Sequence, residues 1–476
     1  MLPDGFVAIV KRDCPTCVLV GPVLAELRDR SEREVTIYSQ DDPTFPEATG
    51  GAIDDRDLEF SFALDLDTVP TLIRVENGQE VARTVGWSRD HWTELTGVVA
   101  LGIGLTDYRP GCGSRTQDPA IAAARATKEG ERHLHARRVE LGTEEDEVEA
   151  MYERGWSDGL PIVAPTSARV VRMLTGTTRA PDDVVAIIPP DLVECTVEKI
   201  AINAVMAGCR PEYLPVVLAA VEAACTDEFN MHGLLATTWF SGPVIVVNGP
   251  ITKAIGMNNG INALGPGNRA NATIGRALQL VIRNVGGGRP GDVDRATLGQ
   301  PGKYTCCFAE HEDACWEPMH VERGFRAEQN TVTLFAGEGV RGVVDQLSRT
   351  PESLTRSFAA CLRTTAHPKL PLAFDAMVII TPDHLRVYEE AGWSKARFRE
   401  ELGALLQIDG HEMVRGAGGI QEGIPETLAE ITLPKFRDGG LLIAHAGGAA
   451  GLFSGIMGGW ASGSVGSESV TREVRS

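Results

Sequence analysis

From Phe6 the chain reads FVAIVKRDCPTCVLVGPVLAELRDR: an apolar run, then two cysteines two residues apart, then an apolar pattern of helical period. A buried strand that feeds directly into a helix puts the cysteine pair at the junction. There Cys14 meets the positive end of the helix dipole, which favours its thiolate and makes it the attacking sulfur. Cys17 would then resolve the mixed disulfide. Lys11 and Arg12 should lower the Cys14 pKa further, whereas Asp13 opposes them. Taken alone, the pair could exchange electrons, form half of a zinc site, or only pack.

The next hundred residues narrow this choice. EVTIYSQ reads as a second strand, TLIRVENGQEVARTVGW as two strands joined by an Asn77-Gly78 turn, and SRDHWTELTG as a closing helix. With Cys14-Pro15-Thr16-Cys17 in the place of a redox motif, Pro22 where the following helix kinks, and Thr68-Val69-Pro70-Thr71, residues 1–105 resemble a thioredoxin-fold domain. The resemblance implies that Pro70 is a cis-proline facing the disulfide and the bound substrate. It also implies that Cys14 and Cys17 are catalytic and that an external thiol reductant or reductase resets the pair. Two departures bear on redox potential and proton handling: no tryptophan precedes Cys14, and Ala8 stands where many thioredoxins bury an acid.

At 476 residues the chain is long enough for further domains, given roughly 150 residues per domain. Apolar residues at 43% and charged residues at 23% fit a globular protein and exclude a disordered or fibrous one. A net charge of -20 repels phosphate backbones and anionic lipid, so neither nucleic acid nor membrane is an expected partner. The start MLPDGFVAIVKRDC lacks the pattern of a secretory signal, which makes the cytoplasm the expected location and the ten cysteines reduced thiols. The run GGLLIAHAGGAAGLFSGIMGGWASG from Gly439 is rich in glycine and carries a histidine, and it reads as strand, glycine loop and helix rather than a membrane span.

Residues 106–150 read as a turn-rich, charged and helical connector. Within it Cys112-Gly113-Ser114-Arg115 resembles the motif of a small selenoprotein-like family named for UGSC, with Arg115 replacing the second cysteine. Cys112 is either an ordinary loop thiol or a relay for the CPTC disulfide. Residues 151–476 alternate apolar strands (PVIVVNGPI, AMVIITPDH, GGLLIAHAGG) with helices. The expected class is α/β with a mainly parallel sheet, and no internal repeat of fixed period is visible.

Four places in this larger part could carry chemistry. In NALGPGNRANATIGRALQLVIRN a glycine turn enters a helix, and Gly267, Asn268, Arg269, Asn271 and Arg276 suggest a pocket for a small anionic substrate, without the spacing of an ATP or dinucleotide loop. CCFAEHEDACWEPMHVERGF gathers Cys306, Cys307, Glu310, His311, Glu312, Cys315, His320 and Glu322. Cys306, Cys307, Glu310 and His320 are the catalytic candidates; zinc or another soft metal is the alternative occupant, although no standard zinc spacing is present. Cys209 beside Arg210 could be activated at a helix start or could simply close a helix hairpin, while Cys195, Cys225 and Cys361 belong to apolar faces. His445 at a strand end could be a general base with Ser454 nearby; Trp156 and Asp158 could cover an entrance; His384 fits a helix cap.

Together these residues suggest a cytoplasmic thiol-dependent redox enzyme. Its CPTC module would exchange electrons with a cysteine of the larger domain, which would act on a small anionic substrate. Two alternatives stay open: a lyase or hydrolase using thiolate and carboxylate, with the CPTC module handling a soft metal, and a non-enzymatic thiol-binding protein or chaperone. Assembly into a homo-oligomer is compatible with either.

Overall fold

The computed structural model describes residues 2–461 and 466–475. The chain divides into two compact units, Met1–Glu129 and Gly130–Ser476. The connector expected over residues 106–150 is therefore shared between them.

In the first unit, strands β1 (Gly5–Val10), β2 (Val35–Ser39), β3 (Ile53–Asp54), β5 (Thr71–Glu76) and β6 (Gln79–Val85) form a sheet of order β3-β2-β1-β5-β6, while β4 (Thr68–Val69) lies outside it. β1 runs parallel to β2 and antiparallel to β5. Every residue of β1 is buried, as its unbroken apolar run requires of a strand covered on both faces. Helix Pro15–Arg30 follows β1 directly; proline at its first position costs no hydrogen bond, and Cys14 is the N-cap. Val20, Val23, Leu24 and Leu27 bury one side of that helix.

Residues 106–117 form a strap held on this unit. Trp87 Nε1 donates to the Thr106 carbonyl at 2.6 Å. Short strand β7 (Trp87–Ser88) pairs with β8 (Tyr108–Arg109), and β4 pairs with β9 (Cys112–Gly113). Thr16 Oγ1 donates to the Pro110 carbonyl at 2.7 Å, and Gln40 Nε2 donates to Ser114 Oγ at 2.7 Å. Gly111 permits this close approach, because a Cβ there would lie 2.3 Å from Thr68 Cγ2 and 2.8 Å from the Val69 oxygen. Turn-forming residues that suggest a free connector are thus consumed in pairing with the domain.

The second unit opens with helices Glu147–Glu153 and Ser167–Leu174 and a hairpin, β10 (Val184–Ile188) and β11 (Val193–Thr196), and centres on an eight-stranded mixed sheet. Its strands are β12 (Gly242–Asn248), β13 (Cys307–Ala309), β14 (Thr331–Gly337), β15 (Arg341–Val344), β16 (Phe374–Ile380), β19 (Leu441–His445), β20 (Phe453–Ala461) and β21 (Val470–Glu473), with a separate hairpin of β17 (Gln407–Asp409) and β18 (Thr432–Pro434). The order β13-β12-β14-β20-β16-β19 is palindromic. In each half a first strand has a parallel outer partner (β12 with β13, β16 with β19) and an antiparallel inner one (β12 with β14, β16 with β20). Each half also sends its last strand to the other: β15 pairs with β20, and β21 with β14. The expected mainly parallel sheet is replaced by this mixed one, because β14 and β20 return antiparallel down the middle. The two halves share a pairing scheme that no fixed period in the sequence announces.

The two ends of this sheet meet. His311, just past β13, donates its backbone N–H to the carbonyl of His445 on β19 at 2.7 Å. Val246, Phe308, Phe335, Met377, Ala444 and Met457, one or two from each strand of the path, form a single apolar cluster on the inner face. On the other face, Ile245, Val247 and Leu334 pack with helices Val197–Ala207, Leu214–Ala224 and Arg269–Asn284, while Val378, Ile443 and Ile456 pack with helices Pro351–Arg363 and Lys395–Leu405. The run from Gly439 forms β19 and β20, with residues 462 and 463 outside the described residues. Among the described residues no helix is long and apolar enough to cross a membrane.

Candidate functional site

The first unit brings three thiols together. Cys14 accepts the Cys17 backbone N–H at 3.3 Å, and its thiol lies 3.6 Å from the carbonyl of Val69. The Val69-Pro70 bond is cis. In the β4–β9 pair Val69 stands directly opposite Cys112, so the residue whose carbonyl contacts Cys14 is the strand partner of Cys112. Cys14 is the N-cap of helix Pro15–Arg30, and Thr16 in the first turn of that helix donates Oγ1 to the Pro110 carbonyl at 2.7 Å, two residues before Cys112.

These contacts set the acidities. Hydrogen bonding from the Cys17 thiol, then from Cys112 and the backbone N–H groups of Cys17 and Thr16, lowers the Cys14 pKa to about 5, although burial acts against it. Cys17 moves the other way: burial, then the charge-bearing Cys14, keep it protonated. Cys112 is also raised, first by burial and then by Cys14. Cys14 is consequently the thiolate at neutral pH, and its two neighbours are the donors that stabilise it. The expected influence of Arg12 is absent from these contacts, because its guanidinium pairs with Asp42 and Glu47.

The second unit arranges the predicted residues differently. Arg276 forms a two-pronged ion pair with Asp158 at 2.8 Å on both arms, and both side chains are largely buried. Asn268 caps helix Arg269–Asn284 by accepting from Asn271 N at 3.0 Å. Asn271 is engaged by the backbone of Asn258 and Ala263, and Arg269 Nε by the Gly208 carbonyl. The side chains expected to hold an anion beside Gly267 therefore serve the fold. Asp158 is the salt-bridge partner of Arg276 and also lines a cavity of this unit, and Trp156 lines another.

Burial raises the pKa of Cys307 well above the ordinary thiol value, and Cys306 and then Cys209 each raise it further. Burial pushes Cys306 and Cys209 up to about 12. Cys209 gains no activation from Arg210; its thiol contacts the Thr273 carbonyl at 3.4 Å. None of the three is a thiolate near neutral pH.

Glu310 and His445, far apart in sequence, meet where the sheet ends converge. Glu310 is buried and accepts from Asn248 Nδ2 at 2.7 Å, Met319 N at 2.8 Å and His445 N at 3.3 Å. Burial raises its pKa, with Lys395 pulling the other way. His445 Nδ1 donates to the His311 carbonyl at 3.0 Å, and burial lowers its pKa to about 4. Asn248 Oδ1, His445 Nε2, His311 Nδ1 and both ring nitrogens of His320 are buried without a protein partner. Glu310 meets the backbone N–H of His445 and not its ring, so the proton transfer the sequence suggested for Glu310 has a buried carboxyl here but no imidazole in contact with it. Among the described residues no three or more His, Cys, Asp or Glu side chains are grouped to hold a metal ion.

Two cavities, of about 890 and 640 Å³, open in this unit. The smaller is lined by Ser241, Gln279, Arg283 and Lys303, and Ser241 Oγ, Gln279 Nε2 and Arg283 Nε have no protein partner. Asp158 and Asp294 line it as well, and Lys303 is paired with Asp294 at 2.7 Å, so the polar lining carries both signs of charge. Ser454 pairs not with His445 but with His384, at 2.8 Å from Nδ1, so His384 is a buried partner of that serine rather than a helix cap.

The sequence offered Cys112 as a relay for the CPTC disulfide without the strand pairing that sets it opposite Val69, and it did not bring Asn248 and His445 to Glu310. Each juxtaposition comes from strand pairing between distant segments, and the local sequence carries no signal for it. The glycine before Cys112 was the one available hint that the backbone there approaches another strand. No protein-family model matches the chain, and no curated protein is significantly similar to it.

Proposed function

We propose that the chain is a thiol-disulfide oxidoreductase whose nucleophile is Cys14, in a thioredoxin-like first unit, and whose second unit binds a small anionic molecule. The observation that carries this reading is the place of Cys14: it is the N-cap of helix Pro15–Arg30, accepts the Cys17 backbone N–H at 3.3 Å and lies 3.6 Å from the carbonyl of Val69, which precedes a cis proline. A sulfur held as thiolate in this way attacks disulfides, whereas a structural cysteine remains protonated. The order β2-β1-β5-β6, with β1 parallel to β2 and antiparallel to β5, and the cis Val69-Pro70 bond beside Cys14 support the thioredoxin-like assignment. All ten cysteines are free thiols, which agrees with a reducing compartment such as the cytoplasm and with an external thiol reductant. The cavity lined by Ser241, Gln279 and Arg283 is the place that best suits the anion.

The test is turnover of a small aromatic disulfide by the full chain, with a dithiol as reductant. Cys14→Ser should abolish the protein-dependent rate. Unchanged turnover in that variant would overturn the reading and favour a non-enzymatic role.

The unpartnered buried atoms around Glu310 favour a second reading for the larger unit alone, proton transfer of the lyase or hydrolase type. Glu310→Gln would then abolish an activity that Cys14→Ser leaves intact.

A further inference from the structure

The resemblance to thioredoxins assigns the resolving role to Cys17, yet Cys14 has a second thiol neighbour. We infer that the redox pair is Cys14 and Cys112, with Cys17 remaining a thiol that positions the Cys14 sulfur. This inference rests on the redox reading above and identifies the partner within it.

Three observations carry it. First, β9 is stitched onto β4 so that Cys112 lies across from Val69, whose carbonyl contacts Cys14. The pairing is secured on both sides, by Thr16 Oγ1 on the Pro110 carbonyl and by Ser114 N on the Asp67 carbonyl at 2.8 Å. Second, Cys14 is the N-cap of helix Pro15–Arg30, and Thr16 in the first turn of the same helix holds the Pro110 carbonyl just before Cys112, so the strap carrying Cys112 is tied to the helix start that favours a thiolate. Third, Cys17 has no solvent exposure, whereas Cys112 is partly exposed. A resolving thiol must lose its proton, and the partly exposed one can pass it to water. Once Cys14 is in a mixed disulfide its charge is gone, which relieves one cause of the raised Cys112 pKa. Cys17 retains the larger penalty of burial.

The step balances as ordinary exchange. The Cys14 thiolate attacks a symmetrical small disulfide, forming a Cys14–SR bond as the disulfide breaks and one RS⁻ departs. Cys112 then loses its proton to solvent and attacks the Cys14 sulfur, and the second RS⁻ leaves as the Cys14–Cys112 bond forms. The protein gives up two electrons, and the substrate becomes two thiols. An external dithiol reverses the change.

The experiment treats the reduced full chain with a symmetrical aromatic disulfide and maps the products by non-reducing peptide mass spectrometry. The unsubstituted protein should show a Cys14–Cys112 linkage. Cys112→Ser should retain the aromatic group on Cys14, with resolution slowed roughly tenfold or more, whereas Cys17→Ser should resolve as the unsubstituted chain does. A Cys14–Cys17 linkage in the unsubstituted protein, or an adduct trapped by Cys17→Ser and not by Cys112→Ser, would overturn this inference while leaving Cys14 as nucleophile. A Cys14 that forms no adduct in any of the three would overturn it together with the redox reading. The map of the unsubstituted chain needs no variant to fold.

Discussion

Cys112 lies directly across from Val69 in a two-residue strand pair, and the Val69 carbonyl is in turn 3.6 Å from the Cys14 sulfur. One short stretch of pairing thus fixes both the backbone and the thiol that border the nucleophile. It also fills the strand edge beside Cys14 with residues of the same chain.

The pairing depends on Gly111. A Cβ there would meet Thr68 Cγ2 at 2.3 Å and the Val69 oxygen at 2.8 Å, so Gly111→Ala should push the strap off β4. Overpacking of this kind costs about 1–3 kcal/mol. Urea unfolding should show the loss. Alkylation of Cys14, only 1% exposed in the intact structure, should become faster.

Acid should destabilise the second unit through His445. Its pKa falls from 6.5 to about 4 on folding, so the unfolded chain binds more protons between those values. The contribution is full above pH 6.5 and lost as pH falls through 4. At most it amounts to about 3 kcal/mol. Glu310, whose pKa is raised by burial, acts in the opposite sense, its contribution fading as pH rises above the ordinary carboxylate range. His445→Gln should flatten the acid limb of a stability profile measured by denaturant unfolding at stepped pH.

The ion pair of Arg276 and Asp158 replaces the anion site that the sequence suggested. Arg276→Ala strands a buried carboxylate and should cost roughly 3 kcal/mol in denaturant unfolding. Asp158→Asn with Arg276→Gln should recover part of that loss, since neither partner then carries an unmatched charge.

What the sequence made legible follows the range of the interactions involved. The order of elements around Cys14, its place at a helix start and the position of Pro70 are local, and hydrophobic periodicity and turn residues carry them. The mixed sheet is not local: β14 and β20 look like any other apolar strand, and only tertiary pairing sets their direction. Glycines and donors near Asn268 announced an anion pocket because an N-cap and an anion make the same demand on a helix start. The side chain of Asn268 met that demand first. Cys306 and Cys307 looked reactive from the company they keep, but burial decides their acidity.

Cys14, and neither Cys17 nor Cys112, is a thiolate at neutral pH. Titrating the ultraviolet thiolate absorbance of the full chain, and subtracting that of Cys14→Ser, isolates this sulfur. A difference curve with a midpoint near pH 5, and no ionisation of Cys209, Cys306 or Cys307 below pH 9, is the predicted result. A midpoint near the ordinary thiol value of 9 would contradict the account.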